Sequence, residues 1–390
     1  MSPSLRFPEF TGEWEKCKLG TLATKVGSGS TPKGGDAVYT SIGHYFVRSQ
    51  NVGMGFLMLD NIAHINDDIH QKHKATEIYE NDVLLNITGA SIGRTAVATK
   101  ELEGGNVNQH VCIIRTNSKV NPKFLCDYIQ TQRIQNHIKS LQTGGSREGL
   151  NFEQIRSFPI SLPSINEQNK LTCLLDKINE RIATQVRLIE DLKKLRCAIV
   201  EKMFKQSKAN GRLGDFIEQV SVRNKNGLYS NVLSVSNKQG FVKQSEQFED
   251  RTVASEDTSN YKIVKRNNFA YNPARINVGS IARLTKFDVG IVSPMYVCFR
   301  TKASIIPEYM EAFFTSQQFF YEMMKRLEGS VRLCLSYEGL CNIPVYIPDM
   351  NKQIAMGQNI SLILSKIGLE IEYLGRLNQQ KQYLLRKMFI

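Results

Sequence analysis

The sequence has no long hydrophobic run. Its apolar stretches fall well short of the roughly 18 residues that cross a bilayer, so no membrane span is expected. Cysteine is scarce, 8 in 390 residues, and no two are spaced C-x-x-C. That excludes a zinc ribbon, a thioredoxin-type site and a disulfide framework; reduced, mostly buried thiols are expected. Met1-Ser2-Pro3-Ser4-Leu5-Arg6 lacks the basic-then-apolar order of a secretory signal. A cytoplasmic protein is the expectation. Histidine is confined to the first half, at His44, His64, His70, His73, His110 and His137. A metal or catalytic site present in both halves therefore has no histidine to use. His70-x-x-His73 could share a helix face, but no cysteine lies near it in sequence, and solvated or locally bonded rings are expected there.

Catalytic motifs are also missing. No G-x-x-x-x-G-K-[ST] occurs. Its nearest approach, Gly27-Ser28-Gly29-Ser30-Thr31-Pro32-Lys33-Gly34-Gly35, places the lysine before the last glycines. It reads as a flexible loop, with a phosphate-cradling role left open. No G-x-G-x-x-G follows a strand. Amino-methyltransferases hold their target amine in an Asn/Asp-Pro-Pro-aromatic turn; Tyr271-Asn272-Pro273-Ala274 lacks the second proline and the aromatic. Pro348-Asp349 could open a nuclease carboxylate set, yet it aligns with Pro163-Ser164 below, and a helix cap explains both. No catalytic residue, no metal and no cofactor is expected in this chain.

What is present is positive charge. There are 50 Lys+Arg against 37 Asp+Glu, a formal net charge of +13. Residues 1–206 hold 26 basic and 21 acidic residues, and the remainder 24 and 16, so both halves are basic. A polyanion, most commonly nucleic acid, is the partner such a balance favours; a generally basic surface is the plain alternative. The length suits two or three domains.

The second feature is an internal repeat. Arg115-Thr116 returns as Arg300-Thr301, and Pro122 as Pro307. Gly144, Arg147, Leu150 and Glu153 return as Gly329, Arg332, Leu335 and Glu338. Pro159 and Pro163 return as Pro344 and Pro348, and Lys202-Met203-Phe204 as Lys387-Met388-Phe389. One offset of 185 relates all these pairs. Upstream the offset drifts: Gly93, Ala96 and Lys100 match Gly279, Ala282 and Lys286, and Leu19-Gly20 matches Leu213-Gly214.

Each copy begins with a mixed segment. Strands are expected at Asp82–Ile87 and Val111–Ile114, and Tyr261–Val264 and Met295–Phe299 are expected to take those parts in the second copy. Helices are expected over about 122–140 and 307–327. A long helix then follows. Ser164 and Glu167 have capping-box spacing after Pro163. Leu171, Leu175, Ile178, Ile182, Ile189, Leu192, Ile199 and Met203 recur at four–three spacing, as coiled-coil seams do. The second copy repeats this at Ile360, Leu364, Ile367, Ile371, Leu374, Leu385 and Met388, interrupted by Asn378 and Lys381. Two helices of such length in one chain suggest mutual, antiparallel pairing.

The opening Leu5-Arg6-Phe7-Pro8-Glu9-Phe10-Thr11-Gly12-Glu13-Trp14-Glu15, followed by Lys18-Leu19-Gly20, resembles the start of specificity (S) subunits of type I restriction–modification enzymes. The domain–helix–domain–helix plan resembles them too, as do Pro159, Pro163 and Glu167-Gln168 ahead of the helix; the second copy departs with Lys352-Gln353. The fold this resemblance implies is mixed α/β (α+β). Two target recognition domains stand in tandem repeat, separated by two long helices that form an antiparallel coiled coil with pseudo-two-fold symmetry. The expected divisions are 1–163 and 207–348 for the recognition domains, with 164–206 and 349–390 for the spacer helices. By the same resemblance, each domain reads one half of a bipartite double-stranded DNA target. The helices set the spacer and dock two modification (methyltransferase) subunits, and restriction (translocase–nuclease) subunits complete the assembly. S-adenosylmethionine, ATP and Mg belong to those partners, not to this chain. The competing readings are a protein–protein scaffold and a stand-alone DNA methyltransferase.

Side chains that touch DNA need to reach base edges or phosphates. One candidate loop follows the central strand: Thr88, Ser91 and Arg94 in the first copy, and Asn272, Arg275, Asn277 and Ser280, with Arg283 beyond, in the second. A second loop keeps a glycine and an arginine in both copies. It offers Gly145, Ser146 and Arg147, then Ser330 and Arg332, as a phosphate clamp or as partners of Glu153 and Glu338. Ser28, Ser30 and Lys33 lie in a loop of the first copy only, and Arg48 follows a possible strand. Arg115 and Arg300, at strand ends, are expected to form structural ion pairs.

Overall fold

The structure, a computed structural model, describes residues 2–142, 149–205, 208–237, 239–247, 257–329 and 332–390. Packing divides the chain into two compact units, 1–185 with 373–390, and 186–372. Each is built on the same four-stranded antiparallel sheet. In the first unit the order is Ala23–Ser28, Val111–Thr116, Val83–Asn86, Thr95–Val97. In the second it is Ile217–Gln219, Val297–Thr301, Phe269–Tyr271, Ile281–Arg283. A short ribbon accompanies each sheet: Glu15–Lys18 with Pro159–Leu162, and Gly211–Arg212 with Pro344–Val345. The helix expected near 122–140 is two, Pro122–Ile129 and Gln132–Gln142, and its counterpart is Pro307–Phe314 and Gln317–Met324.

Both sheets are covered on both faces, which explains runs that are apolar without alternation. In the first unit Val83, Leu85, Cys112 and Ile114 face one core while Leu84, Val111 and Ile113 face another. In the second, Phe269, Tyr271 and Phe299 face one core, and Ala270 and Cys298 the other. The second core of each unit is closed by copy-specific strands. These are His44–Val47, Ala63–Ile65 and Asn106–Val107 in the first, and two antiparallel pairs in the second, Leu233–Ser236 with Gly240–Lys243 and Lys262–Lys265 with Val289–Val292. Here one expectation is corrected. The counterpart of Val83–Asn86 is Phe269–Tyr271; Lys262–Lys265 pairs instead with Val289–Val292, outside the repeated sheet. Both runs have strand composition, and composition alone does not say which one enters the central sheet.

The long helices run Ile165–Lys205 and Met350–Met388. Their starts are held by a polar device common to both copies. Gln168, fully buried, donates from Nε2 to the carbonyls of Lys119 and Pro163 and accepts from Asn121 N at 2.8 Å. Gln353 does the same with the carbonyls of Ser304 and Pro348 and with Ile306 N at 3.0 Å. Three hydrogen bonds satisfy each buried amide. Ser164 Oγ accepts from Glu167 N at 3.3 Å, but the Glu167 carboxylate turns to Arg6 and Trp14 rather than closing the capping box.

Each helix is divided between the units. In the first unit, the core that takes Leu171 and Leu175 of the first long helix also takes Leu385, Met388 and Phe389 of the second. The first helix leaves that core and the second arrives, so the two segments run in opposite directions, joined by Arg181 Nη2 donating to Tyr373 Oη at 3.1 Å. In the second unit Val200 and Phe204 enter the core beside Ile360. The expected seam of the second helix is shifted. Ile360, Ile367, Glu370, Leu377, Lys381, Leu385 and Met388 are buried, whereas Leu364 and Ile371 are 40% and 50% exposed. Leu362-Ile363-Leu364 is apolar throughout, so spacing fits two registers, and burial selects the one through Ile363.

Candidate nucleic-acid interface

Antiparallel pairing brings the loops of the central strands to one end of each sheet. In the first unit, the loop after Val83–Asn86 meets the turn before Val111–Thr116 and the loop after Ala23–Ser28. Ile87 N donates to His110 O at 3.0 Å, and Gly29 N to Asn108 O at 3.2 Å. Gly29 is forced: a Cβ there would lie 1.6 Å from Val107 O. Thr31 N donates to Gln109 Oε1 at 2.8 Å, and the Thr88 hydroxyl lies 2.6 Å from His110 Nδ1. Ser30, Lys33, Arg94 and Gln109 are exposed, and Ser28, Thr88, Ser91 and His110 are half-buried. Gly149 bridges to Thr88, so the chain leaves the same end after this cluster. Gly145, Ser146 and Arg147 fall outside the described residues, as does Ser330.

Arg48 is half-buried with its guanidinium carbon 5.3 Å from the Tyr39 ring centroid. The turn after it is tied to the central strand by Asn86 Nδ2, which donates to Ser49 O at 2.8 Å. The described candidates of the first copy, drawn from three separated stretches, thus belong to one end of the domain.

The second unit repeats the convergence with different side chains. Leu335 N donates to Pro273 O at 3.1 Å, joining the loop after Phe269–Tyr271 to the segment carrying Arg332. Arg275 and Arg332 are exposed and Asn277 is half-buried. Three other candidates are engaged within the fold. Asn272, 9% exposed, accepts through Oδ1 from Ala274 N at 3.1 Å. Ser280, 4% exposed, donates to Val235 O at 3.2 Å. Arg283 pairs with Glu311 at 2.9 Å and also with Glu308 and Asn267. Burial raises the Glu311 carboxyl, and Arg283 opposes that shift. Asn272 and Ser280 are thus buried, and the Arg283 guanidinium is committed to two carboxylates and Asn267, so these three side chains brace the loop.

The strand-end arginines pair within their domains. Arg115 contacts Asp82 at 2.7 Å, which holds the guanidinium charged, and Arg300 contacts Glu218. Tyr271-Asn272-Pro273-Ala274 is likewise a structural turn: Tyr271 Oη donates to Leu335 O at 3.1 Å, and burial pushes the phenol well above its ordinary range. No group of three or more His, Cys, Asp or Glu able to hold a metal occurs among the described residues. No helix among them is long and apolar enough to cross a membrane.

The residues that sequence reasoning passed over are Gln109 and His110. His110 was one histidine among six with no counterpart in the second copy. The usable signal was its place, immediately before a core strand and level with Thr88 on the neighbouring one.

Residues 11–194 match the family described as Type I restriction modification DNA specificity domain. A stretch of 135 residues is 24% identical to the type I restriction enzyme EcoBI specificity subunit of Escherichia coli, covering 34% of this chain and 28% of that protein. The match thus spans well under half of the relative's length. The whole chain resembles the crystal structure of the type I restriction–modification S subunit from M. genitalium, with a TM-score of 0.60 at 18% identity, covering 100% of this chain and 99% of that one. A second solved chain, from a study of complex assembly and conformational transition of the type I R-M system, gives a TM-score of 0.58 at 14% identity over 98% of each chain. At these identities the two structures establish the shared fold.

Proposed function

We propose that this chain, whose residues 11–194 match the Type I restriction modification DNA specificity domain, is the sequence-reading subunit of such a complex. Each unit reads one half of a bipartite duplex target, and the chain performs no chemistry of its own. The observation that carries this reading is the repeated convergence. The same end of the same sheet gathers polar loop residues in both units, and the frame is repeated while the exposed side chains differ. Thr88, Ser91, Arg94 and Gln109 stand at one end; Arg275, Asn277 and Arg332 stand at the other copy's equivalent. Two readers of unlike half-sites need that combination of common scaffold and private side chains.

The long helices serve as spacer and as docking surface for methyltransferase subunits. Leu188 and Leu195, then Leu362, Leu369 and Ile371, are 40–68% exposed on them, more apolar surface than a solvated helix carries by design. A restriction subunit joins through the same assembly, and S-adenosylmethionine, ATP and Mg are used by the partners.

The test is equilibrium binding of the purified complex to duplex DNA across a salt series. Neutralised phosphates release counterions, so log affinity should fall linearly with log salt. Binding flat in salt, or absent with the complex assembled, would leave a protein scaffold as the better account.

A further inference from the structure

Arg48 stands apart from the other half-buried arginines among the described residues. Arg6, Arg115, Arg156, Arg283 and Arg326 each meet a carboxylate at 2.7–3.0 Å. Arg196 acts electrostatically on Glu311. Arg48 meets no carboxylate among these residues. Its Nε is shut off from water without a hydrogen-bond partner. The guanidinium carbon lies 5.3 Å from the centroid of the Tyr39 ring. A cation drawn halfway out of water without a counter-charge costs the fold stability, and an aromatic ring returns only part of that.

The surroundings hold this costly group in place. Arg48 N donates to Asn51 Oδ1 at 3.0 Å, and Asn51 N donates to Arg48 O at 2.8 Å. Asn51, 3% exposed, is itself fixed by donating to Met58 O at 2.9 Å. The Tyr39 ring packs 5.9 Å from that of Phe46, which is fully buried. Val47 O, one residue before Arg48, accepts from Asn108 N at 3.0 Å, and Gly29 N donates to Asn108 O. Arg48 thus leaves a locked turn beside the loops that gather at the proposed interface. What the site lacks is a full negative charge. Base acceptors carry partial charges, whereas a phosphate carries a formal one and offers two oxygens to the guanidinium fork.

We infer that Arg48, backed by Tyr39, is a preset receptor for one phosphate of the duplex bound by the first unit. This rests on the DNA-reading function proposed above and adds to it a fixed backbone contact that sets how the duplex lies on that unit.

The test uses the complex assembled with its modification subunits. Arg48→Met keeps a stem against Tyr39 and removes the charge. Losing one phosphate contact should lower the slope of log affinity against log salt by about 0.9, which makes binding roughly 5-fold weaker at about 0.15 M salt. The same factor should appear on the preferred sequence and on random duplex, because a phosphate carries no sequence information. The melting temperature should hold or rise, since an apolar chain replaces an unpaired cation. Arg48→Lys keeps the charge and should keep the slope. Neutral methylphosphonates placed one at a time along the duplex locate the contact: one position, in or beside one half-site, should weaken the parent and leave Arg48→Met unaffected. A lowered melting temperature in Arg48→Met would make the arginine structural and overturn the assignment. Loss confined to one base pair would mark a base contact and overturn it too, as would unchanged affinity and slope; DNA reading stands in all three cases. A parent complex that binds no duplex would refute DNA reading itself.

Discussion

Phe389 is the most informative single side chain for the architecture. Far from them in sequence, its ring sits 5.4 Å from Phe124, 6.0 Å from Tyr128 and 6.4 Å from Trp14. It is 6% exposed. Phe389→Ala removes the ring and leaves a cavity among three others, and such changes cost about 3–5 kcal/mol. The residual exposure lets neighbours relax, which favours the lower end, about 3 kcal/mol. For a unit of this size each kcal/mol shifts the melting temperature by about 2–4 °C, so a drop of roughly 6–12 °C is expected. The loss should be local. Hydrogen exchange should quicken in Val83–Asn86 and Val111–Thr116 of the first unit, and much less in the sheet of the second. Phe204→Ala is the mirror experiment. That ring is 1% exposed, 5.3 Å from Tyr309 and 5.2 Å from Phe313, and its loss should loosen Phe269–Tyr271 and Val297–Thr301. If Phe389→Ala leaves melting and strand protection in the first unit unchanged, the end of the second helix is not part of that core and the account of helix exchange fails.

Other outcomes follow from the same contacts. Gln168→Ala and Gln353→Ala each strand buried backbone groups at a helix start, and each should destabilise its own unit by about 1–3 kcal/mol in denaturant melts. Burial raises the Asp127 carboxyl to about 7, against the pull of Lys381, so the folded state holds a proton that the unfolded chain releases. Its contribution to stability is therefore present below about pH 4 and is lost as pH rises to about 7; Asp127→Asn should flatten that slope in melts of the first unit from pH 4 to 8. Arg94→Ala and Arg275→Ala should weaken duplex binding for all sequences alike and each lower the salt slope by about 1. Inserting whole helical turns after Ser164, with a matching insertion in the second long helix, should lengthen the unread spacer of the recognised site; an unchanged spacer would refute the ruler.

Much of the fold was legible because it is repeated. Pairs such as Pro122 with Pro307 and Leu150 with Leu335 share an offset because they occupy the same place in two copies of one domain. The helix starts were legible through Ser164 and Asp349, whose side chains accept from the backbone three residues on, at 3.3 and 3.0 Å. The structural ion pairs of Arg115 and Arg300 were legible from their place at the ends of apolar strands. Helix exchange was not. Leu385, Met388 and Phe389 look in sequence like the tail of an amphipathic helix, and nothing local says which core receives them. The register of the second helix was ambiguous for a similar reason, since Ile363 and Leu364 are equally apolar. In the interface, loop positions were legible but side-chain commitments were not. Ser280 and Arg283 have the composition of DNA contacts, and only the proximity of Val235, Glu308 and Glu311 shows them engaged elsewhere. Gln109 and His110 escaped because the bonds they make, to Thr31 N and to the Thr88 hydroxyl, join three loops distant in sequence.

The most direct measurement is a map of methylated bases. A matching modification subunit is expressed in a methylation-free host with and without this chain, and the genome is sequenced for modified bases. The account predicts a split motif, two short defined half-sites around a fixed unread spacer, that appears only when the chain is present. No motif from an assembled complex, or one that is independent of this chain, would contradict it.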